Sequence, residues 1–172
     1  DEKEMQDYFN RLYKFYTGES KFDKKLFIAD AMIPSESSIN LSNVPVRYTL
    51  TSTDYIKGIT SYHNSSDVDI TKWQNDYRTF LAKSHEITII NAHGATNFHM
   101  PCNMNASNNE EGCISSSFIK NAKPNSQFII GISCNIGNFM TRGSPMVAYI
   151  FSGNALAGIG AELPLWDNNS YI

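Results

Sequence analysis

A chain of 172 residues that is 41% hydrophobic and 18% charged can bury a core as one domain, which argues against a disordered polymer. Its net charge is −3 and its 14 Lys and Arg residues are scattered, so no nucleic acid partner is expected, because phosphate binding needs clustered cations. Apolar runs such as ITII and FIIGI are far too short to cross a bilayer, and no membrane span is expected.

In chain order, residues 4–16 (EMQDYFNRLYKFY) set Met5, Tyr8, Phe9, Leu12 and Phe15/Tyr16 on one helical face, with Gly18 as the stop. KLFIADAMI (25–33) is a strand-type run closed by Pro34, and 35–45 reads as a loop. VRYTLTS (46–52) and GITSYH (58–63) alternate like strands. TKWQNDYRTFLAK (71–83) aligns Trp73, Tyr77, Phe80 and Leu81 on a helix, capped by Asp69 or Thr71. EITIINA (86–92) is a strand, 99–113 a polar Asn-rich loop, and SSSFIKNA a short helix. QFIIGIS (127–133) is a buried strand, and SPMVAYIF (144–151) opens with the Ser-Pro of a helix start and ends at Gly153. ALAGIGAEL (155–163) is a last strand rich in small residues. Strands alternating with helices predict one α/β domain over 1–172, an α/β/α sandwich with a mainly parallel central sheet covered on both faces.

In such sheets ligands meet the carboxyl ends of the strands, and two strand ends here carry reactive side chains. TIINAHGAT (88–96) delivers His93 followed by Gly94, and FIIGISCNIGNF (128–139) delivers Cys134. A thiol attacks as its thiolate, and a neighbouring imidazole is the usual means of holding one. Gly94 lets the backbone come near a substrate so that its N–H faces a developing oxyanion, and the Cys134 N–H supplies a second donor. Either residue alone is more often structural: a strand-end Cys is commonly a small buried hydrophobe, and a His-Gly commonly a turn. It is the pairing, in His-then-Cys order after matching apolar runs, that points to chemistry.

The same two blocks resemble the catalytic blocks of the gingipain family of cysteine peptidases, in the clan of caspases and clostripain. The run CNIGNF (134–139) is the most specific piece. RLYKFYTGE with KKLFIAD (11–30) is similar to that family's first helix and strand, and GSPMVAYIFSGNALAGIGA (143–161) to its helix and following strand. The resemblance implies a caspase-like fold and a cysteine-type endopeptidase acting on peptide or protein substrates, with Cys134 as nucleophile, His93 as general acid/base, and Gly94 and Cys134 forming the oxyanion hole. It implies an acidic residue behind the histidine, for which Glu36, Asp30 and Asp54 are candidates, each equally readable as an exposed loop or cap residue. It also implies a pocket wall at Trp166, beside which Asp167 could pair with a basic substrate side chain. The His-to-Cys interval is longer than the family's, and the excess falls in NFHMPCNMNASNNEEGC (97–113).

Cys102 and Cys113 share that loop, either as a disulfide or as two reduced thiols, leaving Cys134 for a separate purpose. The resemblance and a bridge there would both fit a secreted or cell-surface protein. The chain lacks an initial Met and any signal or transit peptide, so it reads as an excised or processed domain, with a pro-segment or additional domains expected outside it. No cofactor is required by this chemistry. Calcium enters through the family resemblance alone, as no compact carboxylate cluster calls for it. Two other classes stand beside the peptidase: a zinc-binding module using His93, His99, Cys102 and Cys113, whose spacing is irregular, and a catalytically silent caspase-like binding scaffold.

Overall fold

A computed structural model describes residues 2–21, 24–30, 46–51, 70–100 and 113–162. The main sheet holds five strands, β1 (Leu26–Asp30), β2 (Val46–Thr51), β3 (His85–Asn91), β7 (Ser126–Ile132) and β8 (Ala157–Gly160), in the order β2-β1-β3-β7-β8. Every neighbouring pair in it is parallel. The protein is therefore α/β with a parallel central sheet. Each of its strands falls within or overlaps one of the predicted strands at 25–33, 46–52, 86–92, 127–133 and 155–163, whereas residues 31–33, 52 and 163 and the run GITSYH lie outside the described residues.

Among the described residues four helices accompany the sheet: α1 (Glu2–Tyr16), α2 (Ile70–Leu81), α3 (Ser116–Ala122) and α4 (Pro145–Ser152). Their ends follow local chemistry. Gly18 adopts φ 75°, the left-handed conformation that closes α1 at little steric cost. Ser115 caps α3 by accepting from the Phe118 N–H at 3.3 Å, and Lys123 (φ 52°) ends it ahead of Pro124. Pro145 opens α4, where its missing N–H would have had no helical partner.

The core lies on one face of the sheet. Alternation sends Phe27, Ala29, Ile90 and Ile129 to that face, where they meet Trp73, Tyr77 and Leu81 of α2, Ile119 and Ala122 of α3, and Met146, Ala148 and Tyr149 of α4. Trp73 stacks on Tyr77 with ring centres 6.1 Å apart, and Phe27 meets Tyr77 at 5.9 Å. Each such buried ring contributes about 2–3 kcal/mol from area removed from water alone. Gly131, Gly158 and Gly160 floor the contact with α4. A side chain on Gly158 would collide with the Met146 sulfur, so the small residues of the last strand admit that helix closely.

One expectation changes, and one is reached only in part. Among the described residues α2, α3 and α4 share one face of the sheet, and α1 sits beside α4, with the Tyr8 hydroxyl on the Leu156 carbonyl (2.9 Å) and Arg11 Nη2 on the Ile150 carbonyl (2.7 Å). On the other face Leu26 and Ile28 are buried, and Ile87, Ile89, Phe128 and Ile130 are half-buried. The start of the predicted 99–113 loop is also regular. β4 (His93–Gly94), β5 (Phe98–Met100) and β6 (Ile114–Ser115) form a small antiparallel sheet, β4-β5-β6, because Ala95 N–H closes a tight turn on the Phe98 carbonyl at 2.9 Å.

Candidate active site

β3 and β7 are direct neighbours, and their register sets the site. Every pairing between them is offset by 41 positions, from His85↔Ser126 to Asn91↔Ile132. The ladder continues past the strand ends, since Ala92 N–H donates to the Ile132 carbonyl at 3.1 Å. Positions 93 and 134 differ by the same 41. His93 and Cys134 thus leave adjacent parallel strands at the same level, both half-buried, at the carboxyl edge of the sheet. A thiol reached by substrate needs that partial exposure.

Gly94 brings the two segments into contact. A β-carbon there would overlap the Ser133 hydroxyl and would lie 3.2 Å from both the Cys134 and Phe98 carbonyl oxygens. The glycine therefore lets β4 press against the Ser133 side chain and the Cys134 carbonyl. Its N–H direction follows from the ribbon. Ala95 and Phe98 form the hydrogen-bonded pair, so the next pair, Gly94↔His99, is of the non-hydrogen-bonded kind, and the Gly94 N–H points away from β5. An N–H so directed can meet an oxyanion.

The cysteine side is built from backbone. After Cys134 the chain turns through Asn135 in the left-handed region (φ 55°), and Asn138 N–H returns to the Asn135 carbonyl at 3.1 Å. Asparagine tolerates that conformation better than most residues. Gly137 N–H donates to the Ala161 carbonyl at 2.8 Å, and a side chain at 137 would run into the Gly160 carbonyl. The Ile136 carbonyl accepts from Met146 N–H (3.3 Å) and from the Ser144 hydroxyl (3.1 Å) at the start of α4. Ser144 thus fastens the turn instead of capping its own helix.

The histidine side is held by side chains. His99, opposite Gly94 in the ribbon, is 2% exposed and its Nε2 lies 2.5 Å from the Tyr149 hydroxyl of α4. That hydroxyl lies 2.5 Å from the Tyr77 hydroxyl of α2. Burial pushes His99 down to about 3, so the ring is neutral at ordinary pH, and burial holds both tyrosines well above their usual range. Sequence reasoning missed this trio. Its signal was a Tyr on the apolar face of each of two helices and a His in an alternating FHM run, where polar tips inside a core require partners.

Asp30 ends β1 opposite Asn91, on the edge that carries His93, whereas Glu36 and Asp54 lie outside the described residues. Trp166, Asp167 and Cys102 also lie outside them. Cys113 is buried beside β6. The zinc set is not gathered among the described residues: no group of three or more His, Cys, Asp or Glu is placed to hold a metal ion. His93 pairs with Met100 and His99 with Gly94, so the two imidazoles belong to opposite faces of the ribbon, and His99 is engaged in the core. No helix among the described residues is long and apolar enough to cross a membrane. No family model matches the chain, and neither does any curated protein or solved structure.

Proposed function

We propose that this chain is a cysteine endopeptidase of caspase-like fold, acting through a Cys134–His93 dyad on peptide or protein substrates. The observation that carries the proposal is the shared register of His93 and Cys134 on adjacent strands, with Gly94 packed on the Ser133 hydroxyl and the Cys134 carbonyl. The Cys134 thiolate adds to the peptide carbonyl carbon, and the oxyanion is met by the N–H groups of Gly94 and Cys134. Collapse breaks the C–N bond, and the His93 imidazolium gives its proton to the leaving amine. Water then loses a proton to His93 and adds to the thioester, and cleavage of the C–S bond restores the thiol as the acid leaves.

Asp30 is the proposed carboxylate behind the dyad, because β1 ends beside β3 at the level of Asn91. Trp166 and Asp167 follow β8 in sequence, and a preference for basic residues before the scissile bond is proposed for them from the family resemblance. A secreted or cell-surface location, flanking domains or a pro-segment, and calcium are carried into the proposal from that resemblance alone.

A panel of fluorogenic peptides differing at the residue before the scissile bond tests the reading. Hydrolysis by the wild type that is lost in Cys134→Ala and in His93→Ala supports it. Hydrolysis that persists in Cys134→Ala, or none by the wild type on any peptide or on unfolded protein, overturns it. Equal turnover of Arg, Lys and neutral peptides removes the basic preference and leaves the peptidase.

A further inference from the structure

The same helix reaches both halves of the site. At its first turn, α4 holds the turn after the thiol, through Met146 N–H and the Ser144 hydroxyl on the Ile136 carbonyl, two residues beyond Cys134. One turn further along, Tyr149 of that helix holds His99, the ribbon residue opposite Gly94. The link at the histidine end is specific. The imidazole and both hydroxyls are buried, at 2%, 0% and 0% exposure, so water cannot replace a lost partner there. Rings of His99 and Tyr149 also stack, with centres 5.9 Å apart. An apolar side chain at position 99 would fill the core without fixing how far the ribbon enters it. A nitrogen bonded to a hydroxyl at 2.5 Å fixes both depth and rotation.

We infer that Tyr149 and His99 are positioning residues of the proposed peptidase reaction, tying the ribbon that carries His93 and Gly94 to the helix that holds the Cys134 turn. This rests on the endopeptidase reading above. Neither residue touches the substrate. Their contribution is to keep the Gly94 N–H and the His93 ring at a set distance from the thiol, so their loss lowers turnover more than substrate binding. Tyr77 provides the internal contrast. Its hydroxyl belongs to the same buried chain and bonds Tyr149, but it lies one step further from the ribbon.

The test compares Tyr149→Phe with Tyr77→Phe, each measured for thermal stability, kcat and KM on the best peptide of the panel. Each removes one hydroxyl from the same core, and both are expected to lower the melting temperature. Tyr149→Phe is expected to lower kcat roughly 10- to 100-fold with KM changed by less than about 3-fold, while Tyr77→Phe keeps kcat within about 3-fold of wild type. His99→Gln, which keeps a hydrogen-bonding group for Tyr149, is expected to retain more kcat than His99→Leu. That pair keeps the question open to measurement should Tyr149→Phe fold poorly. Equal kcat for the two tyrosine variants, or for the Gln and Leu variants, overturns the inference while leaving the peptidase intact. A wild type without turnover overturns the peptidase reading and this inference with it.

Discussion

The two halves of the site are fastened by different means. The turn after Cys134 is held by main-chain groups: Gly137 on Ala161, and Ile136 on Met146, with one serine hydroxyl added. The ribbon bearing His93 and Gly94 is held at its middle strand by a buried imidazole bonded to the Tyr149 hydroxyl, which in turn bonds the Tyr77 hydroxyl. Backbone bonds survive most substitutions and fail where a glycine gains a side chain. Side-chain bonds fail when one atom is deleted, even deep in the core. The cysteine half of the proposed site is therefore vulnerable at its glycines, and the histidine half at residues buried away from the sheet edge.

The largest expected effect breaks the proposed chemistry on both sides at once. Cys134→Ala and His93→Ala should each reduce peptide turnover by about 10³-fold or more, with the double variant scarcely worse than either single one. Circular dichroism and melting curves should remain close to wild type, because both side chains are only half-buried.

Next comes the glycine that the cysteine half depends on. In Gly137→Ala the new methyl meets the Gly160 carbonyl, which belongs to a strand and cannot swing aside. We expect a stability loss of about 1–3 kcal/mol by urea unfolding, accompanied by slower alkylation of Cys134. Gly143→Ala sharpens the contrast. That glycine has φ 93° but nothing within 4 Å of a β-carbon, so the loss there should come from backbone strain alone and should leave Cys134 reactivity unchanged.

The histidine half has a pH signature. His99 binds a proton in the unfolded chain near its ordinary 6.5 and in the folded protein only near 3. Between those values the unfolded state holds more protons, so stability rises with pH. The contribution is fully present above about 6.5 and is lost as pH falls toward 3, with a slope of at most about 1.4 kcal/mol per pH unit. Urea unfolding of wild type and His99→Gln across that window should show the slope reduced in the variant. Equal slopes would mean that His99 is not the buried neutral group responsible.

Much of the fold was legible in the sequence because it rests on local rules. Gly18, Pro145 and Gly153 bounded the helices, and the apolar, β-branched runs at 25–33, 86–92 and 127–133 read as strands, which the structure holds at 26–30, 85–91 and 126–132. The ends carrying His93 and Cys134 were legible for the same reason. The β4-β5-β6 ribbon was not, because strands of two or three residues leave no periodicity to read. His99 was read with the zinc candidates because Cys and His share that stretch of chain. Only tertiary packing shows that its neighbours are Tyr149 and Tyr77, from elements distant in sequence.

The smallest expected effect is a control that touches neither half. Lys72 and Asp76 pair across one turn of α2 at 2.9 Å on an exposed surface. Lys72→Ala should shift stability by no more than about 0.5 kcal/mol and should leave turnover unchanged.

The central claim, that an imidazole and a thiol act together across neighbouring strands, is tested most directly by the rate of alkylation at Cys134. Iodoacetamide at neutral pH, followed by mass spectrometry of the digested protein, reports the rate and the modified residue together. The account predicts rapid stoichiometric modification of Cys134 in the wild type and a marked slowing in His93→Ala. Modification at the same rate in both proteins, or a Cys134 that reacts no faster than an ordinary buried thiol, would contradict it.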